Sequence, residues 1–188
     1  MTLKRNEGRP KCPAFIFRKM NPDDADHLGQ LDRSEKIEQI CRIENGQEIW
    51  TPAGHECPTW NEAQLAELRL RYIGELERGG AAIGAYSGGM LAGFGVLGHR
   101  PLGSEGDMLQ VDLLYVGRPY RRRGIGRRLM ELLSREASLR GAKALYISST
   151  ESRSAVGFYR SFGSEIAAEP DPELFAREPL DIHLVRKL

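Results

Sequence analysis

The segment "DLLYVGRPYRRRGIGRRLMELLSREASLRG", residues 112–141, constrains this chain more than any other. It opens as an apolar strand and passes through a glycine-bearing loop. Ile125, Leu129, Leu132, Leu133 and Ala137 then recur at helical spacing until Gly141. A strand that turns into a helix in this way leaves the first amide hydrogens of the helix unpaired, at the positive end of its dipole. Phosphate binds at such a place. Gly124 and Gly126 remove side chains where an anion would approach the backbone.

Charge narrows the choice of ligand. Residues 118–128 hold six of the 27 basic residues and none of the 26 acidic ones. The rest of the chain therefore carries 21 − 26 = −5, although the whole is +1. A nucleic-acid binder needs a broad basic surface and, for single strands, a stacking platform, so no nucleic-acid partner is expected. A solvated arginine face would explain the arginines but not two glycines at a helix start, where glycine is a poor helix former. A nucleotide P-loop would need Lys and Ser or Thr after its last glycine, and Arg127-Arg128 stand there. A dinucleotide fingerprint would need a third glycine where Leu129 is found.

The flanking sequence supplies the rest of the architecture. Residues 1–13, broken by Pro10 and Pro13, read as a flexible N-terminal arm, and 14–188 as a single domain. "AFIFRK" predicts a first strand, and "NPDDADHLGQL" a helix capped by Asn21 with Pro22 at its first position. Residues 32–60 form a variable segment, read as a short helix and strand in "EKIEQICRIENGQEIW" and a loop in "TPAGHECPTW". Thr59 and Glu62 suggest a capping box for the next helix, which runs to Gly79. Gly88-Gly89 predicts a tight hairpin between "AAIGAY" and "MLAGFGVLG". After the arginine-bearing helix come a strand "KALYIS", a short helix "SAVGFYRSFG", a loop "EPDPELFAREP" and closing strands "SEIAA" and "DIHLVRKL".

Cys12, Cys41 and Cys57 are odd in number with no C-x-x-C pair, which fits a reducing, cytoplasmic setting. His55-Glu56-Cys57 are contiguous and lack a second ligand cluster, so no metal is expected. The N-terminus has no apolar core of a signal peptide, and no apolar run is long enough to span a membrane.

"RRRGIG", Arg121 to Gly126, resembles the [Q/R]-x-x-G-x-[G/A] motif of the GNAT-type, acetyl-coenzyme A-dependent N-acetyltransferases. The approach "LLYVGRPYR" and the later "FYRSFG" resemble the same family, and element order agrees from about residue 14 to 188. The resemblance implies an α/β (α+β) fold. Its mixed, mostly antiparallel twisted sheet would have about six or seven strands, with helices on both faces. It implies acetyl-coenzyme A as co-substrate, lying along Leu114, Tyr115 and Val116. Its diphosphate would be held by Arg121, Arg122, Arg123, Gly124, Ile125, Gly126 and Arg127. Ser152 stands where the family often has an asparagine that contacts the coenzyme.

Tyr159 matches the family's usual general acid; its other reading is a core aromatic. For the base, some members use a glutamate on the fourth strand. Strand alternation would put Gln110, Asp112 and Leu114 on one face, making Asp112 the candidate carboxylate, with a structural aspartate as the competing reading. Trp50, Glu56 and Trp60, with Glu44, Glu48 and His55 nearby, would line an acidic, aromatic pocket for a cationic amine. The implied activity is acetyl transfer to a primary amine of a small molecule or peptide, by direct attack in a ternary complex. A catalytically degenerate acyl-coenzyme A sensor on the same scaffold is the alternative. The resemblance also allows a homodimer.

Overall fold

The computed structural model describes residues 14–188; the expected N-terminal arm, residues 1–13, lies outside the described residues. The chain begins with β1 (Ile16–Met20), a 3-10 helix (Pro22–Gln30), β2 (Glu35–Glu44), β3 (Gln47–Cys57) and α1 (Glu62–Glu77). It continues with β4 (Ala81–Ser87), β5 (Met90–Leu102), β6 (Met108–Val116), α2 (Ile125–Leu139) and β7 (Ala144–Ser149). The last elements are α3 (Arg153–Arg160), β8 (Glu165–Ile166), α4 (Pro172–Arg177) and β9 (Ile182–Lys187). Seven strands form one sheet in the order β1-β4-β5-β6-β7-β9-β8, and the pair β6–β7 alone is parallel.

Local signals place most of these elements. Asn21 caps the 3-10 helix by accepting from the Asp23 amide, while Asp24 accepts from the Asn21 amide. Gly88 and Gly89, at φ 57° and 83°, make the expected tight turn between β4 and β5. Ser152 caps α3. Asp171 caps α4 with Pro172 at the first position, so a helix forms inside a segment read as loop.

The sheet separates two cores. On one face α2 and α3 bury Leu129, Leu133 and Val156 against Leu97, Val111 and Ile147. On the other, the 3-10 helix and α1 bury Leu28, Leu68 and Tyr72 against Phe94, Val96 and Leu113. Each large apolar side chain removed from water contributes about 2 kcal/mol.

The assignment to the two cores exposes a break in β6. Leu109 and Val111 face the α2 core, yet Leu113, two residues on, faces the α1 core. The pairing with β5 shows why: Val96 stands opposite Leu113 and Leu97 opposite Val111, so Asp112 is an extra residue, a β-bulge. The expected common face for 110, 112 and 114 therefore does not exist. The bulge also ends the pairing of β6 with β7, which runs only from Met108↔Ala144 to Val111↔Ile147. Beyond it the two strands part, while β7 stays paired to β9 as far as Ser149↔Ile182.

The variable segment departs most from expectation. Rather than a helix, strand and loop, it is the antiparallel hairpin β2–β3, turned by Asn45 and Gly46 at φ 52° and 76°. Two consecutive positive-φ residues are what an Asn-Gly hairpin turn requires. The hairpin docks on α3: the Cys41 amide donates to the Glu151 carbonyl at 2.8 Å, and Ile40 bridges to Ser152. The α1 cap is also displaced by two residues. Asn61 and Gln64 form the capping box, and the Thr59 hydroxyl donates to the Leu31 carbonyl at 3.3 Å instead.

Candidate active site

The loop after β6 is fixed by its backbone and by one arginine. The Gly117 amide donates to Ala92 at 2.9 Å and that of Arg118 to Asp32 at 2.7 Å. The Arg121 guanidinium spans three carbonyls, Val116, Ser34 and Arg33, at 3.1, 3.0 and 2.8 Å. Three of its donors thus hold the loop together, the geometry of a clamp. Arg123 lies over the Phe15 ring at 4.8 Å and Arg127 over Phe162 at 5.0 Å, while Arg122 is exposed at φ 61°.

The two glycines serve different ends. Gly124 is the N-cap of α2 at φ 82°, with no side-chain cap and open space where a Cβ would stand. The amide hydrogens of the first turn of α2 are consequently left for an external acceptor. Gly126 instead allows close packing, since a Cβ there would meet the Phe158 ring at 3.1 Å. Ile125 is 1% exposed and belongs to the core, so only its amide faces the loop.

Beside this loop, Leu113 to Val116 pair with β5 and, among the described residues, carry no strand partner on the β7 side. The Tyr115 ring, on this stretch, meets Trp60 edge-on at 4.9 Å and Phe94 at 5.7 Å. From α3, Tyr159 is 8% exposed, and its hydroxyl makes no hydrogen bond among the described residues. Burial, followed by the charges of Tyr115 and Asp181, raises its pKa and keeps it protonated at neutral pH.

A group of charged residues that the sequence did not single out closes the same end. The Asp112 carboxylate takes two hydrogen bonds from Arg71 of α1, at 2.8 and 3.1 Å. Arg71 reaches on to Glu178 at 3.4 Å. Asp181, immediately before β9, closes a turn with Glu178, its amide donating to the Glu178 carbonyl at 3.1 Å. Burial, then the charges of Glu178 and Glu151, push Asp181 up to about 7 against the pull of Arg71.

An uncapped helix start, a strand edge without a partner and a buried, unbonded tyrosine thus meet at one gap. The model of the acetyltransferase (GNAT) family matches residues 37–163. The chain belongs to the GNAT acetyltransferase family. Solved structures of this acetyltransferase fold agree. A nourseothricin acetyltransferase is 23% identical with a TM-score of 0.67, over 92% of this chain and 96% of that one. A protein assigned as a streptothricin acetyltransferase from Bacillus anthracis, solved with acetyl coenzyme A, is 16% identical with a TM-score of 0.67, covering 92% and 96%. The PaiA N-acetyltransferase of Thermoplasma acidophilum, with coenzyme A, is 15% identical at 0.61, covering 93% and 99%. Among curated proteins, no sequence matches the chain.

Within this acetyltransferase the remaining expected site residues divide. Leu114, Tyr115 and Val116 lie on the open edge of β6, and Trp60 stands beside Tyr115. Asp112 is committed to Arg71 with its side chain 2% exposed, so the structural reading of that aspartate is the one its geometry favours. Ser152, 3% exposed, spends its hydroxyl on the Ala155 amide and Ser154, as the cap of α3. The acidic, aromatic pocket does not assemble as expected. Trp50 packs toward the α2 core, under Arg153 at 5.8 Å, Glu48 pairs with Arg160 at 3.2 Å, and Glu56 is exposed. Hairpin alternation is the reason: Glu48 and Trp50 point inward while Ile49 points out.

Proposed function

We propose that this chain moves an acetyl group from acetyl-coenzyme A to a primary amine of a small molecule or peptide, by direct attack within a ternary complex. The observation that carries this reading is the uncapped start of α2 beside the unpaired edge of β6. An anion seated on the first amides of α2 would leave an acyl thioester arm running along Leu114 to Val116, paired as an added strand. A β6 amide, of Leu114 or Tyr115, would then polarise the thioester carbonyl. Tyr159 would hold a proton for the leaving sulfur.

The structures solved with acetyl coenzyme A or coenzyme A support the co-substrate, and the nourseothricin and streptothricin acetyltransferases among the similar structures support a small-molecule acceptor. Trp60, edge-on to Tyr115 and beneath Arg33, would form part of the wall against which that acceptor lies.

Calorimetry with acetyl-coenzyme A, against ATP and NADH, tests the first half. Thiol release across polyamines, amino sugars, amino acids and peptides tests the second. Tyr159→Phe should lower kcat about 100-fold or more and leave the Kd for acetyl-coenzyme A within twofold. Unchanged turnover would remove Tyr159 from the mechanism.

A further inference from the structure

The acetyl-transfer reading leaves one proton unaccounted for. A primary ammonium must lose a proton before its nitrogen can attack, and Asp112, held by Arg71, is badly placed to take it. We propose that Asp181, paired with Glu178, is the general base that receives the proton of the acceptor ammonium; this rests on the acetyl-transfer reading.

Position is the first argument. Asp181 directly precedes Ile182, which pairs with Ser149 at the end of β7. That end lies past Ile147, the last β7 residue to pair with β6. The turn before β9, closed by the Asp181 amide on the Glu178 carbonyl at 3.1 Å, is tied to β6 across that end, since Glu178 pairs with Arg71 and Arg71 with Asp112. The second argument is what surrounds it. Arg71 is shared between Asp112 and Glu178, and no salt bridge to Asp181 is formed among the described residues. The carboxylates of Glu178 and Glu151 instead oppose its ionisation, and Arg71 only partly offsets them. The third is independent of the acids. Tyr159 is 8% exposed, its hydroxyl has no hydrogen-bond partner among the described residues, and Asp181 and Tyr115 are the groups whose charge it feels. Acid and base thus flank one space.

The groups acting on Asp181 come from several elements: Arg71 on α1, Glu151 after β7 and Glu178 after α4, while Tyr159 on α3 feels its charge. Burial and two of these carboxylates bring Asp181 to about 7, where a base serves at neutral pH. The proton balance closes. The first ammonium proton passes to the Asp181 carboxylate and then to solvent. As the nitrogen bonds to the acetyl carbon and the carbon–sulfur bond breaks, Tyr159 gives its proton to the sulfur and recovers the second proton from the nitrogen.

The test uses the full chain, acetyl-coenzyme A and the amine from the panel that releases thiol fastest. Asp181→Asn should lower kcat/KM about 100-fold or more at pH 7 and erase the limb near pH 7 in its pH profile. Glu178→Gln should move that limb down by about one pH unit, because a like charge is gone. Methoxyamine, neutral at pH 7, should lose less than tenfold in Asp181→Asn, a rescue that a merely structural role would not give. Wild-type turnover with an unchanged Asp181→Asn profile overturns the base alone. Coenzyme binding without thiol release from any amine overturns the transfer reading and the base together. Asp181→Asn melting well below wild type at pH 8, with methoxyamine turnover lost equally, overturns the base in favour of a structural aspartate.

Discussion

The two sides of the β6–β7 gap are built by different means. On the acetyl-transfer reading, the coenzyme side is one continuous stretch, Asp112 to Arg127, in which backbone amides and a left-handed glycine would present the binding groups. The acceptor side is assembled from α1, β6, α3 and the turns flanking α4, by side chains such as Arg71 and Glu178 that lie 107 residues apart. A site made of contiguous backbone depends on local conformation and tolerates side-chain change. A site made of distant side chains depends on the whole fold and on each charge within it.

The largest expected effect breaks the first side at its backbone. At φ 82° Gly124 occupies a conformation that a β-branched residue adopts only with strain, about 1–3 kcal/mol, although a Cβ would meet nothing within 4 Å. Gly124→Val should therefore fold, by circular dichroism, yet lose at least about 100-fold in affinity for acetyl-coenzyme A by calorimetry, an estimate resting on loss of the first-turn amide geometry. Retained affinity would mean that the arginines, not the amides, hold the coenzyme.

Next comes a contrast of two carboxylates. Asp24 accepts 2.6 and 2.9 Å hydrogen bonds from Arg18, and that guanidinium, with the Asn21 amide, holds its pKa at about 2. A depressed carboxylate stabilises the fold above its unfolded pKa, and that contribution fades as pH falls from about 4 through 2. Asp24→Asn should cost about 2 kcal/mol at pH 7 and little at pH 2, by urea melts. Asp181 has the opposite sign. Its raised pKa makes the folded state hold the extra proton, so its effect on stability worsens as pH rises from about 4 through 7. Asp181→Asn should be at least as stable as wild type at pH 8. Were both substitutions to destabilise alike, the distinction between an anchoring and a working carboxylate would fail.

This difference in construction also decides what could be read in advance. The strand–turn–helix of the coenzyme side was legible because each part has a local signal: the apolar run to Val116, Gly124 at the cap, and the face from Ile125 to Ala137. Tyr159 was reachable because it lies within "FYRSFG" on a helix with its own cap. The face expected for Asp112 was misread because alternation assumes an unbroken strand, and the bulge arises from pairing with β5 rather than from local propensity. Asn45-Gly46 did carry a hairpin signal in β2–β3, one masked by the mixed polar pattern around it. Asp181 opens "DIHLVRKL", read only as a closing strand; only the folded chain sets it against Glu178, Glu151 and Tyr159.

The smallest effect sharpens the first contrast from the other direction. Arg122 lies on the coenzyme loop, exposed, with no ion pair among the described residues. A solvated guanidinium near an anion is worth about 0–1 kcal/mol and is screened within about 10 Å at 0.1 M salt. Arg122→Ala should therefore weaken acetyl-coenzyme A binding by about fivefold at most, and the deficit should shrink further as salt is raised. The loss in Gly124→Val should persist at high salt, because amide geometry is not screened by mobile ions. Calorimetric titrations of both variants at low and high salt separate the two contributions. An Arg122→Ala loss as large as that of Gly124→Val, and equally indifferent to salt, would mean that this guanidinium is desolvated on binding and that the coenzyme side is built from side chains after all.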